Sequence, residues 1–260
     1  MSFLFLANHV GDQATAITAT TTTTATGFHL NDVINGPRSS RWRSNVDTGS
    51  TTFLIYQLGA DFTPDYCVIS RADWLLTVGG KKLNIVDRNS GGSVFNISPS
   101  YNPVTSSDML GLRSQDMVIP FTATHTRGYG IRTQNNGGNE ATQISKLYFS
   151  QSLNIGAPQI GAEWEPVPYE QRMFTPPKGN FPYEVSAKMT LTFRHLSSTD
   201  IQNFKALPQI LNWPFFLYDS AGDVWPHKLE HVVTEDWQEI RQGPGVWELI
   251  LSIRRLKQYD

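Results

Sequence analysis

The sequence predicts an all-β protein, and three observations lead to that expectation. Apolar side chains alternate with polar ones along most of the chain, which is the period of a strand and not of a helix. Charged residues make up 17% of the chain, below the ~25% that is typical of soluble domains. Glycine pairs and polar runs end the apolar stretches at short intervals. Short strands spaced in this way are typical of a β-sandwich or jelly roll.

The strands predicted for the first part of the chain are short and are separated by turns rich in glycine and asparagine. They are Thr51–Leu58, Tyr66–Ile69, Leu83–Val86, Met117–Phe121, Tyr129–Arg132 and Ile144–Phe149. The threonine-rich tract Thr18–Thr26 is open to two interpretations, a disordered or mucin-like segment and a strand. Because threonine is β-branched, we favour the strand.

A proline-rich stretch separates this part from the rest of the chain. Proline lacks the backbone donor that a sheet interior needs, so the stretch is expected to be an extended connector. We therefore predict three regions, a domain over 1–156, a connector over 157–182 and a second domain over 183–260.

The second domain is predicted to contain strands and one helix. Residues Tyr183–Phe193 alternate cleanly, as in a long strand with one face in solvent. A helix over about 198–207 follows, with Ser197 or Ser198 as its cap and Asp200 in its first turn. The strands predicted after it are Phe215–Tyr218, Val224–Val233, Trp237–Ile240 and Trp247–Ile253.

Composition excludes several classes of protein. Cys67 is the single cysteine, so no intrachain disulfide or cysteine-based metal cluster can form, and a buried structural thiol is expected. The apolar start Met1–Val10 lacks the flanks of a signal peptide, so we expect synthesis in the cytosol without export. No apolar run is long enough to span a membrane. The formal net charge of −2 argues against a nucleic-acid partner.

We expect no enzymatic activity, no cofactor and no metal, because the candidate catalytic groups fit ordinary structural positions better. His195 ends a strand and is expected at its rim, and His227 and His231 lack a third ligand at a suitable spacing. The carboxylates that could form an acid–base pair are crowded on what is expected to be a solvated turn. They are Glu235, Asp236 and Glu239.

Several motifs in the first part follow one another in a characteristic order. They are Leu30–Ser44 with its Asn35-Gly36 turn, Phe53–Gly59, Pro64–Ile69, Tyr129–Arg132 and Ile144–Phe149. Their order and spacing over residues 5–155 resemble the galactose-binding-like (discoidin) jelly roll. The resemblance implies an N-terminal jelly-roll sandwich, and it implies sugar or other ligand binding through loops at one end. The family's calcium position corresponds to Asn35-Gly36, with Asp32 nearby, which is a poor match for calcium.

The arginines around Trp42 are open to two interpretations. Trp42 is expected to fill the core, with Arg41 and Arg43 pointing the other way. Alternatively, Arg38, Arg41 and Arg43 form a binding face, since arginine is favoured at interfaces.

The second part resembles β-domains of phage distal-tail and baseplate proteins. In those domains a strand is followed by a short helix, a second strand and a closing pair of strands. The matching pieces are Tyr183–Phe193, the helix ending at Pro208, Trp213–Leu217 and the junction Leu153–Gly156. The combination implies a non-enzymatic virion structural protein, made in the host cytoplasm and acting as a baseplate or tail-tip adaptor.

The partners implied are other virion tail proteins and further copies of the chain in a ring. The alternative hypothesis is a carbohydrate-binding or receptor-binding module that contacts host surface glycans, and a glycan depolymerase is a third. The residues expected to form an interaction surface are Arg38, Arg41, Arg43, Trp74, Tyr101, Trp164, Tyr169 and Phe174.

Overall fold

Two compact units make up the chain in a computed structural model. One unit comprises 9–151, and the other comprises 1–8 together with 152–260. The residues that the structure describes are 3–12, 14–20, 30–33, 42–43, 47–48, 52–70, 82–98, 116–134, 139–140, 143–159, 163–168, 173–174, 183–207, 214–222 and 228–256. The boundaries predicted for the connector stay a prediction, because 160–162, 169–172 and 175–182 lie outside these ranges.

The unit 9–151, called the N-terminal unit below, is built from antiparallel strands. Its longer strands are β2 (Ala14–Thr20), β5 (Thr52–Leu58), β6 (Tyr66–Ser70), β7 (Lys82–Arg88), β8 (Val94–Asn96), β9 (Met117–Pro120), β10 (Gly128–Gln134) and β13 (Lys146–Leu153). Its two-residue strands are β3 (Trp42–Arg43), β4 (Asp47–Thr48), β11 (Asn139–Glu140) and β12 (Gln143–Ile144), and its 3-10 helices are Val10–Asp12 and Leu30–Val33. The strand order is β2-β5-β10-β7-β8 in one sheet and β13-β6-β9 in the other.

Alternating side chains of both sheets form one core, as the period-two pattern predicts. The five-stranded sheet contributes Leu54, Tyr56, Leu83, Ile85, Tyr129 and Ile131, and the three-stranded sheet contributes Cys67, Ile69, Met117, Ile119, Leu147 and Phe149. Two sheets that share a core between their inner faces form a sandwich. The all-β jelly-roll expectation is therefore confirmed.

Trp42 and Cys67 both belong to this core, and neither exposes any surface to solvent. The prediction that Trp42 fills the core and the prediction of a buried thiol are confirmed. Burial raises the pKa of the Cys67 thiol well above its usual value, so the thiolate is disfavoured.

Three connections of the N-terminal unit meet at the same end of the sandwich. They are 59–65 between β5 and β6, 89–93 between β7 and β8, and 121–127 between β9 and β10. The Tyr129 hydroxyl donates to the carbonyl oxygens of Phe62 and His125, each at 2.6 Å, and so links two of the connections. The amide of Phe62 also donates to the carbonyl oxygen of Thr126 at 3.3 Å. These bonds fix the backbone that carries the candidate site.

The other unit, called the C-terminal unit below, is one antiparallel sheet with a helix. Its elements are β1 (Phe3–His9), β14 (Glu165–Pro166), β15 (Met173–Phe174), β16 (Tyr183–Leu196), α1 (Ser198–Lys205), β17 (Pro214–Asp219), β18 (Leu229–Gly243) and β19 (Val246–Leu256). The strand order is β14-β16-β19-β18-β17-β1, and β15 also pairs with β16. The first strand of the chain therefore completes the sheet of the last hundred residues, a long-range pairing that the predicted boundary at 156 misses.

The helix α1 forms where the sequence predicts it. Ser197 caps it with a capping box, in which the Asp200 carboxylate accepts from the Ser197 amide at 2.8 Å and the Ser197 hydroxyl accepts from the Asp200 amide at 3.1 Å. Its buried residues Ile201 and Phe204 pack against the same core as Phe5 and Phe193. The helix ends at Lys205, two residues before the predicted end.

The prediction that Glu235, Asp236 and Glu239 lie on a turn is wrong. Residues Leu229–Gly243 form one continuous strand, because a register shift between Thr234 and Asp236 absorbs the irregularity that looked like a break. Glu235 pairs with Arg254, and Glu239 lies 2.7 Å from Lys205. Two of the three carboxylates are thus held in surface ion pairs.

Two further expectations lie partly outside the described residues. In the threonine tract, β2 ends at Thr20, and 21–26 are not described. His227 is not described either, whereas His231 is buried on β18 with its ring stacked on Phe216 at 4.5 Å. His195 is exposed near the end of β16, as the sequence predicts.

Candidate functional site

Most residues of the predicted interaction surface lie outside the ranges that the structure describes. Residues 38, 41, 74, 101 and 169 fall outside the described ranges. Arg43 and Phe174 lie on the short strands β3 and β15, but their side chains are not described. The role of these seven residues stays a prediction.

Trp164 is the one predicted surface residue whose side chain is described. Its ring is half-buried against the core of the C-terminal unit, and the Arg255 guanidinium lies 4.2 Å from the ring centroid. Arg255 is ion-paired with Glu230, whose carboxylate is almost fully buried. Trp164 thus covers a charged pair, and this contact contributes a cation–π attraction to the sheet.

Among the described residues, two large apolar side chains are exposed, Phe95 and Val246. Val246 lies next to the tight turn between β18 and β19, where an isolated exposed aliphatic side chain is common. Phe95 lies on β8 and is 41% exposed. An exposed aromatic ring on a rigid strand is more informative, because aromatic side chains dominate the energetics of ligand contacts.

The ring of Phe95 forms a stacked pair with His125. The centroids are 4.5 Å apart and the planes differ by 19°, so one face of Phe95 is covered and the other is left to solvent. Phe95 reaches this place because it is paired with Asp87 across β7 and β8, while His125 comes from the connection between β9 and β10. The pair therefore lies at the end of the sandwich where the three connections meet.

The buried carboxylate of Asp87 holds His125 in position. One carboxylate oxygen lies 2.8 Å from His125 Nδ1, and the other accepts from the amides of Thr124 and His125 at 2.8 and 2.7 Å. The Asp87 side chain has no exposed surface, whereas that of His125 is 29% exposed. Donation from Nδ1–H to this carboxylate leaves the other ring nitrogen, Nε2, without a hydrogen bond to the described residues.

The surroundings of the ring pair are polar and are held by their own hydrogen bonds. In the turn between β7 and β8, the Asn89 side chain accepts from the Ser93 amide at 2.9 Å, and Gly92 adopts a positive φ of 89°. Arg88 donates from Nε to the Gly92 carbonyl at 3.3 Å. On the other side, Arg127 lies 3.1 Å from Asp61. We call Phe95, His125 and Asp87 the loop-end site.

This arrangement is suited to binding. It offers an open aromatic face and a fixed imidazole nitrogen. Within the described ranges, no group of three or more histidine, cysteine, aspartate or glutamate side chains could hold a metal ion. No helix in the described part of the chain is long and apolar enough to cross a membrane.

Sequence reasoning missed Phe95 and His125, although a weak signal was present. The pair Gly91-Gly92 marks a hairpin turn, and an aromatic residue three positions after this pair lies at the end of the sheet. Nothing in the sequence indicates that Asp87 and His125 meet, since they are 38 residues apart, one on β7 and the other in the connection between β9 and β10.

Comparison with known proteins gave structural likenesses only. No family model matches the chain, and no curated protein matches it. The CBM32 module of AlyQ in complex with 4,5-unsaturated mannuronic acid is 19% identical, with 52% of this chain and 94% of that chain covered and a TM-score of 0.37.

Two further solved structures show the same relation. A CBM32 module from Clostridium perfringens, in complex with GalNAc-β-1,3-galactose, is 13% identical, with 55% and 99% covered and a TM-score of 0.41. The lectin domain of lectinolysin, complexed with Lewis B antigen, is 11% identical, with 57% and 100% covered and a TM-score of 0.43. These three neighbours are thus carbohydrate-binding and lectin domains. About half of this chain aligns with almost the full length of each of them.

Proposed function

We propose that the N-terminal unit binds carbohydrate through the loop-end site and performs no chemistry on it. The observation that carries the proposal is the Phe95–His125 pair, with its open aromatic face held rigidly by the buried Asp87. Of the functions considered from the sequence, glycan binding uses this feature directly, whereas an assembly adaptor has no specific use for it.

The physical complementarity is simple. One face of a pyranose ring carries C–H groups, which pack on the open face of Phe95, while its hydroxyl groups require polar partners. His125 Nε2 has no protein partner among the described residues and can exchange a hydrogen bond with such a hydroxyl.

The magnitude of the aromatic contribution follows from the exposed part of Phe95. At 41% exposure the ring offers on the order of 80 Å² to a ligand. At about 25 cal/mol per Å², covering this surface contributes up to roughly 2 kcal/mol, which is about thirtyfold in Kd. Contacts of this size give a weak site, and several copies of the chain on one particle would increase its effective affinity.

The experiment is a glycan array with the full chain, followed by calorimetric titration of the best glycan. Phe95→Ala is expected to weaken binding by about ten- to thirtyfold. The matched control is Val246→Ala, which truncates the other exposed apolar side chain and is expected to leave Kd unchanged. Equal affinities for Phe95→Ala and the native chain, at unchanged circular dichroism, would refute the proposal.

The absence of catalysis is part of the same proposal and has its own test. Incubation with the glycan that binds best is expected to release no reducing sugar. Release that disappears on changing Glu235 or Asp236 would instead support the depolymerase hypothesis.

A place in a phage tail or baseplate is compatible with glycan binding, since a receptor-binding tip needs both. The virion location and the tail partners stay predictions. Immunogold electron microscopy of particles, with an antibody against this chain, tests the location. A chain that is absent from purified particles would exclude it.

A further inference from the structure

We propose that β2 is a self-pairing edge, through which two copies of the chain join their five-stranded sheets across a two-fold axis. The strand lies at one end of the order β2-β5-β10-β7-β8, and among the described residues β5 is the one strand paired with it. The 3-10 helix Leu30–Val33 also lies close to β2 but does not pair with it as a strand. An edge strand presents a row of unpaired amide and carbonyl groups, which is a template for another strand.

The sequence of β2 lacks the features that normally protect an edge. Residues Ala14–Thr20 read Ala-Thr-Ala-Ile-Thr-Ala-Thr, with no charge, no proline and mostly β-branched or small side chains. The one irregularity is a register shift between Ala14 and Ala16, so the pairing with β5 is regular from Ala16 to Thr20. Protected edges usually carry lysine, proline or an inward-pointing charge at such positions.

The side chains of β2 explain why a second copy is the occupant. Ile17 is paired with Tyr56, so it points to the core side, yet it is only half-buried at the rim of the sandwich. A second β2 would bring another Ile17 to this rim and cover both. On the outer face, Ala16 is exposed and Thr18 accepts from the Gln57 side chain at 3.2 Å. Because the strand is uncharged, its own copy meets no repulsion, and a two-fold pair is the commonest symmetric assembly.

The other edge of the sheet is less suited to this role. β8 has only three residues, and it carries Phe95 of the loop-end site. Pairing through β2 therefore leaves both copies of Phe95 at the two outer edges of a continuous sheet. If the proposed function holds, the pair presents two glycan sites, although the pairing itself does not depend on that function.

Sedimentation velocity of the full chain over a wide range of concentrations tests the proposal. The native chain is expected to show a monomer–dimer equilibrium. Ala16→Lys places like charges close to each other across the two-fold axis and is expected to weaken association by about tenfold or more. The matched control is Ala221→Lys, at an exposed alanine after β17, which is expected to dimerise like the native chain. A native chain that stays monomeric, or equal effects of the two lysines, would overturn the proposal.

Disulfide trapping provides a second measurement that does not depend on a destabilising charge. Cysteine is introduced in turn at Ala16, Thr18 and Thr20, which are alternate positions of β2, and at Ala221 as control. Directly opposed residues of an antiparallel pair have Cβ atoms about 4.5–5.5 Å apart, close to disulfide range. Mild oxidation is expected to link at least one β2 variant into dimers and not the control, while the buried Cys67 does not react. Failure of all three β2 positions would contradict the pairing.

Discussion

His9 makes the stability of the N-terminal unit depend on pH. The side chain is 2% exposed, its ring stacks on Tyr148 at 3.7 Å, and its Nδ1 lies 3.0 Å from the carbonyl oxygen of Phe149. Nε2 has no hydrogen-bond partner in the part of the chain that the structure describes. A second proton would place a charge on this buried nitrogen, so burial lowers the pKa of His9 from 6.5 to about 3. The charge of Lys146 acts in the same direction, and the bond to Phe149 opposes it.

The direction of the effect follows from the protons bound in each state. In the unfolded chain His9 takes up a proton as the pH falls below 6.5, whereas in the folded chain it stays neutral until about pH 3. His9 therefore contributes fully to the free energy of unfolding above pH 6.5, and this contribution is lost as the pH falls from 6.5 toward 3. At pH 5, protonation of His9 in the unfolded chain lowers the free energy of unfolding by about 2 kcal/mol.

The assay compares the native chain with His9→Gln, in which a neutral amide can still bond the Phe149 backbone. Hydrogen exchange of peptides from β5 and β13 is measured between pH 8 and pH 5, because these strands report on the N-terminal unit. After correction for the intrinsic pH dependence of exchange, the opening free energy of the native chain should fall by about 2 kcal/mol more than that of the variant. The carboxylates common to both proteins cancel in this difference.

The matched control is Thr63→Gln, which places the same amide at an exposed position of the N-terminal unit and changes no titratable group. Its pH dependence should follow that of the native chain closely. Parallel curves for the native chain and His9→Gln between pH 8 and pH 5 would refute the reasoning, since they would mean that His9 is protonated equally easily in both states.

Three further predictions concern the C-terminal unit, and each is checked by chemical denaturation followed through tryptophan fluorescence. Phe5→Ala removes a ring that lies 5.7 Å from Phe193 and 5.9 Å from Phe204, and it is expected to cost about 3–5 kcal/mol, whereas removal of the exposed Val246 side chain should cost almost nothing. Glu230→Ala leaves Arg255 without its buried partner and should destabilise by about 3 kcal/mol, while Glu235→Ala, at a more exposed pair, should cost less than about 1 kcal/mol. His195 has a φ of 60°, so His195→Gly should stabilise the unit by about 1 kcal/mol, and His195→Ala should not. A loss of stability in His195→Gly would mean that the side chain makes a contact worth more than the backbone strain.

Much of the architecture followed from the sequence because it depends on local patterns. The alternation from Tyr183 to Phe193 predicts a strand whose one face is buried, and β16 has that form. The capping box at Ser197 and Asp200 predicts the start of α1, since it requires only residues three apart. Gly59 likewise predicts the end of β5, whose last residue is Leu58.

Features that depend on contacts distant in sequence could not be predicted. Phe3–Asn8 belongs to the C-terminal unit because β1 pairs with β17, more than 200 residues away, and no local pattern encodes that choice of partner. Likewise, the continuity of β18 is decided by its pairing with β19 on both sides of Glu235, which overrides the polar run at Glu235 and Asp236.

The sequence by itself determined the strand period, the helix cap and the buried thiol, because each is fixed by neighbours along the chain. The tertiary structure alone decided which strands pair and which polar groups meet. Asp87 and His125 form a support for Phe95 only because β7 and the connection after β9 converge at one end of the sandwich. The position of Phe95 therefore depends on the Asp87 carboxylate, which is buried with three hydrogen bonds. These hydrogen bonds form only when the two sheets have packed together.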